Sequence, residues 1–121
     1  MSSYKDLEIY KMAYKLAIEI HHMSLKLPKY ELYEQGSQIR RSSKSIKDTI
    51  AEGYGRKRYK ADFIKFLTYA HASCDETISQ LNMISDLYYP ETPLTKLIED
   101  YNNLGGKINK FIRYVENKWK T

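Results

Sequence analysis

The chain holds one cysteine, three prolines and five glycines in 121 residues. A lone Cys74 cannot close an internal disulfide, so a disulfide scaffold is excluded and a reducing compartment is expected. Proline-free runs of the length seen here favour helices. No apolar run approaches the ~18 residues that a membrane-spanning helix needs. The start, Met1-Ser2-Ser3-Tyr4-Lys5-Asp6, lacks the apolar core of a signal peptide, so the expectation is a cytoplasmic protein with no membrane partner. There is no phosphate-loop pattern, because Gly53-x-Gly55 follows a helical stretch rather than a strand. The three histidines do not cluster: His21 and His22 point about 100° apart on a helix, and His71 brings no third ligand at useful spacing. No metal or other cofactor is therefore expected.

What the chain has is helical periodicity. A length of 121 residues suits one domain spanning 1–121 and supports a core without staples. Asp6 to Leu27 reads as a first helix, with Tyr10, Ala13, Ala17, Ile20, Ser24 and Leu27 spaced three and four apart. Asp6 is a candidate N-cap or first-turn acid, and Pro28 ends the helix. A second helix runs from about Leu32 or Ser37 to Gly53, turning Ile39, Ser42 or Ser43, Ile46, Ile50 and Gly53 inward. Its small serines would let a neighbour approach closely. Gly53 and Gly55 read as left-handed stop signals. The third helix, Lys60 to Tyr88, carries Phe63, Leu67, Ala70, Cys74, Thr77, Leu81, Ile84 and Tyr88 on one seam. Thr92 as N-cap and Pro93 as first residue open a fourth helix to about Lys118, whose stripe includes Leu97, Tyr101, Leu104, Ile108 and Val115. Gly105-Gly106 interrupts it at about 1 kcal/mol per glycine, through a bend or a close backbone contact. Four amphipathic segments with short connectors and no period-two runs make an all-α, antiparallel up-down-up-down four-helix bundle.

The charge is local. From Gly36 to Phe66 there are nine Lys or Arg against Asp48, Glu52 and Asp62, a net of +6, while the whole chain is +5. Arg40, Lys44 and Lys47 share one face of the second helix, with Arg41 on an adjacent face, and Arg56, Lys57, Arg58 and Lys60 form the turn after it. Such residues are either a solvated surface or a phosphate-contacting one. The second reading gives salt-dependent binding by counterion release and no base code. Tyr54 and Tyr59 sit among these bases and are candidates for stacking on bases of a single strand. Tyr10, Tyr88 and Tyr101 fall on core stripes and read as packing residues. Glu52 is expected to pair with Arg40 or Arg41, on another helix or across a subunit interface, and Glu76 in the same way with Arg56, since unpaired buried acids are costly. Nothing in the sequence supplies the nucleophile, metal or oxyanion donors that catalysis by those acids would require.

Several stretches resemble the four-helix-bundle proteins named for intervening sequences in 23S ribosomal RNA genes, often labelled S23 ribosomal proteins. They are Tyr4-Lys5-Asp6-Leu7-Glu8-Ile9-Tyr10; Gln38-Ile39-Arg40-Arg41 followed by Ser45-Ile46 and Ile50-Ala51-Glu52-Gly53-Tyr54-Gly55-Arg56; and Phe63-Ile64-Lys65-Phe66-Leu67 with Ala70, Ser73, Glu76 and Leu81. Two departures stand out: the family usually has Pro and Asn where this chain has Lys47 and Thr49, and often a glycine where it has Ala72. The resemblance implies a bundle assembled into a ring-like homopentamer. The chain is also similar to the accessory variability proteins of diversity-generating retroelements, basic pentameric bundles that bind nucleic acid and a reverse transcriptase. The resulting expectation is a bacterial, non-catalytic oligomer that binds RNA or DNA through the basic face. The alternative is a protein-interaction scaffold, or an accessory subunit of a nucleic-acid enzyme such as a reverse transcriptase.

Overall fold

The α2–α3 pair shows how the helices are laid side by side. In a computed structural model that describes residues 3–120, α1 is Glu8–Ser24, α2 Gln35–Gly55, α3 Lys60–Tyr88 and α4 Thr95–Lys118. Ser42 of α2 lies 2.9 Å from Thr77, Ser45 lies 2.7 Å from Ser73, and Gly53 faces Phe66 and Phe63. Rising numbers on one helix meet falling numbers on the other, so the two are antiparallel. The same order holds for α1 and α2, through Arg40 with Ser24 and Lys44 with His21. It holds again for α3 and α4, through Ser85 with Leu94, Cys74 with Tyr101, and Phe63 with Phe111. Glu8 at the start of α1 meets Lys107 late in α4, which closes the bundle.

One core runs along the axis. Ile20, Ile39, Ile50, Leu67, Tyr101 and Ile108 are among its fully buried side chains. The expected inward rows of α2 and α3 are all buried except Tyr88, which is half-buried. Burial pushes the Cys74 thiol up to about 12, so it stays protonated, and it donates to the Tyr101 carbonyl at 3.2 Å. The Tyr101 hydroxyl is buried without a partner.

The ends depart from expectation for identifiable reasons. The first helix stops at Ser24 rather than Leu27, and a 3-10 turn at Lys29–Glu31 leads into α2. Asp6 is no N-cap: it belongs to a 3-10 turn, Tyr4–Asp6, capped by the Ser3 hydroxyl, which accepts from Lys5 N–H at 3.1 Å. Thr92 and Pro93 do not open α4 either. The helix begins two residues later, and Leu94 N–H donates to the buried Ser85 hydroxyl at 3.1 Å, so the preceding helix supplies the acceptor. Gly53 and Gly55 are not left-handed stops, since no described residue has a positive φ. α2 continues through both, and Gly53 is small because a Cβ there would come 3.0 Å from Phe66 Cβ. Gly105-Gly106 neither ends nor caps α4. Gly105 is buried against Cys74 and His71, and Gly106 faces open space.

Candidate nucleic-acid interface

The bases of α2 divide between its flanks. Arg40 turns inward: Nη1 donates to Ser24 Oγ at 2.9 Å and Nη2 to the Leu32 carbonyl at 2.7 Å. Its guanidinium thus holds the end of α1 and the connector onto α2, and is half-buried. This corrects its assignment to an open phosphate-binding face. A planar fork with five donors is drawn to unpaired backbone carbonyls near a helix end. Lys47 is also half-buried and lies 2.6 Å from Asp48, which raises its pKa. Lys44 stays exposed, with Nζ 3.3 Å from His21 Nδ1, and Arg41 is exposed on the α3 side. Loss of solvation, then Lys44, lowers the His21 pKa. The outward face of α2 therefore presents Arg41 and Lys44 followed by the exposed acids Asp48 and Glu52. Within the chain, among the described residues, neither Glu52 nor Glu76 forms its expected ion pair, and both side chains are exposed.

The turn after α2 is more strongly positive. Arg56 and Arg58 are exposed, while Lys57 and Lys60 are half-buried. Arg56 lies over the Phe66 ring at 4.7 Å and 3.8 Å from Asp62. Lys57 Nζ lies 4.1 Å over the Tyr54 ring, within cation–π range. Tyr54 is 5% exposed and meets Phe63 edge-on at 6.1 Å, so it is a core residue and no stacking platform. Arg56, Lys57 and Arg58 put it among basic neighbours in sequence, but its side chain lies on the buried side of the helix. Tyr59 is 63% exposed beside Arg58.

Tertiary packing adds bases that lie far away in sequence. Trp119 Nε1 donates to the Lys57 carbonyl at 3.3 Å, and the Trp119 ring meets Phe63 at 5.2 Å. These contacts dock the end of α4 on the α2–α3 turn. With it come Lys107, Lys110, Arg113, Lys118 and Lys120, all exposed, against Glu116 alone. The signal was present as a basic run in the last stretch of the chain. It was hidden because residues outside Gly36–Phe66 sum to −1, the acids of the α3–α4 half cancelling these bases.

Fold and surface together define an all-helical bundle with a basic end and no helix long and apolar enough to cross a membrane among the described residues. The chain belongs to the 23S rRNA-intervening sequence protein family, whose model matches residues 5–110. A solved structure of similar fold is a protein of unknown function from the S23 ribosomal protein family of Bacteroides thetaiotaomicron. It is 24% identical, with a TM-score of 0.64, and the match covers 91% of this chain and 99% of that one. No curated protein matches the chain.

Proposed function

We propose that this protein is a non-catalytic, cytoplasmic homo-oligomer that contacts the backbone of RNA or DNA. The observation that carries the reading is the exposed positive charge of the α2–α3 turn, where Arg56, Arg58 and Tyr59 are exposed and Lys57 and Lys60 half-exposed; Arg41 and Lys44 add a second basic patch further back on α2, beyond the exposed acids Asp48 and Glu52. Paired phosphates release counterions there, and several copies in an oligomer multiply the local field. A second apolar stripe on α1 supports assembly. Tyr14 and Ile18, one turn apart, are each about half exposed and border a groove with Lys44 and Lys47, and Leu25, just past the helix end, is exposed at the same helical spacing. A ring of five is what the family resemblance implies.

Polarisation of labelled structured RNA and duplex DNA, titrated across salt, tests the reading. Arg41→Ala/Lys44→Ala/Arg58→Ala should weaken binding and flatten the slope of log K against log salt by about two to three. Arg40 is left intact because its loss would disturb the fold. Binding that is absent at low salt, with the oligomer intact, refutes the nucleic-acid reading and leaves the scaffold.

A further inference from the structure

Beside the first turn of α1, the second half of α4 forms one wall of an open cleft of about 370 Å³, within the range of small-ligand sites. Its floor is apolar: Leu7, Ile9, Phe111 and Tyr114. Lys107 and Lys110 stand over that floor, and Lys118 continues the same helical stripe, since 107, 110, 114 and 118 recur at spacings of three and four. Tyr114 is half exposed and stacks on Phe111, with centroids 6.0 Å apart and planes 24° apart. The two rings form a platform that exists before anything binds. Tyr114 also lies 6.3 Å from the Trp119 ring, whose Nε1 reaches the basic turn at Lys57. A chain of contacts through Trp119 thus links the wall of the cleft to the turn.

We propose that this cleft is a single-stranded nucleic-acid subsite, in which a base stacks on Tyr114 and the flanking phosphates pair with Lys107, Lys110 and Lys118. The inference rests on the nucleic-acid reading above, but moves the decisive contacts from α2 to α4. Two features favour a single strand over a duplex. An aromatic platform set between lysines offers a base face a partner, whereas a duplex keeps its base faces inside the stack. The lysines also lie above an apolar floor, where ammonium groups alone would suffice for a duplex backbone. One carboxylate opposes the ligand: Glu8 Oε1 is 2.9 Å from Lys107 Nζ, and a phosphate must displace it. Removing that acid should tighten binding, which a general surface attraction to any polyanion would show far more weakly.

The probe is a labelled oligouridylate of about twelve nucleotides, within the usual span of single-strand sites, with a duplex of the same length as comparison. Trp119 is the sole tryptophan and reports locally. Its emission should change on binding, and Lys107→Ala/Lys110→Ala should weaken affinity about tenfold or more. Tyr114→Ala should cost roughly five- to a hundredfold, with Tyr114→Phe close to wild type, as stacking requires. Glu8→Gln should bind more tightly. All four substituted side chains are exposed or half-exposed, so the fold should tolerate the changes. Equal affinity of Tyr114→Ala and wild type, or a preference for the duplex, overturns the subsite. If the α4 variants bind normally while Arg41→Ala/Lys44→Ala/Arg58→Ala does not, the subsite fails and the broader reading stands. If the oligouridylate, structured RNA and duplex all fail to bind, both fall.

Discussion

Space around single residues decides several questions that residue type leaves open. A Cβ on Gly36 would meet the Glu31 carbonyl oxygen at 2.7 Å and Arg40 Nη1 at 3.0 Å, and the first of these is backbone that cannot yield. Gly106 is also helical, and a Cβ there would touch nothing within 4 Å. Gly36→Ala should therefore destabilise by about 1–3 kcal/mol through overpacking. Gly106→Ala should stabilise by up to about 1 kcal/mol through helix propensity alone. Denaturant unfolding of the two variants measures both, and shifts of the same sign would contradict the packing account. Tyr54 teaches the same lesson for function. Its neighbours in sequence are basic, yet its side chain lies between α2 and α3, in contact with Phe63.

Elements are held together at their ends by polar contacts whose partners come from other helices. Arg40 joins α1, the connector and α2 through charged hydrogen bonds, each of a kind worth about 1.5–3 kcal/mol. Arg40→Ala should lower stability by about that much, whereas Arg41→Ala, exposed on the adjacent face, should stay within about 0.5 kcal/mol. Thermal melts of the pair distinguish a structural base from a surface one. At the same end of the bundle, buried Glu31 accepts from the Tyr88 hydroxyl and from Gln35 Nε2 at 2.9 Å. The Tyr88 hydrogen bond is the main cause holding the Glu31 carboxyl below its ordinary value of 4.5. A depressed folded-state pKa adds stability that is complete above about pH 4.5 and is lost as pH falls through the folded value. Tyr88→Phe should thus be less stable than wild type at neutral pH, and the gap should narrow as the pH drops toward 3. A gap that stays constant in melts across that range would assign the loss to packing instead.

On the scale of the whole molecule, charge and apolar surface are both unevenly distributed. The end formed by the α2–α3 turn and the tail of α4 is basic, with Arg56, Arg58, Lys118 and Lys120 exposed, while the other end mixes exposed Lys26, Lys29 and Lys96 with Glu34, Asp86 and Glu91. An anionic polymer approaching this field meets one preferred end, and its association should slow as salt rises. The exposed Tyr14 and Ile18 of α1, with Leu25 at its end, give a separate handle on assembly. Ile18→Glu should leave the monomer fold intact, because the side chain is half exposed, and shift the mass in light scattering toward a single chain. An unchanged oligomer would place the interface elsewhere; a wild-type monomer at micromolar concentration would remove the assembly proposal.

Helix number, helix type and the inward rows were legible in the sequence, because burial of one face imposes a period that local residues must obey. The rows of α2 and α3 came out as their spacing required, and Lys60 to Tyr88 matched at both ends. Family membership was legible too, since it rests on residues in fixed order along the chain. Charge was legible only as composition. Which bases face water depended on what the neighbouring helix offered: unpaired carbonyl and hydroxyl groups drew Arg40 inward, and Asp48 occupied Lys47. The alliance of Lys57 with Trp119 links residues 62 apart, and it brought the α4 lysines to the basic turn. Periodicity acts within one element and can be read along it; a surface is assembled from several, and only their packing decides which side chains share it.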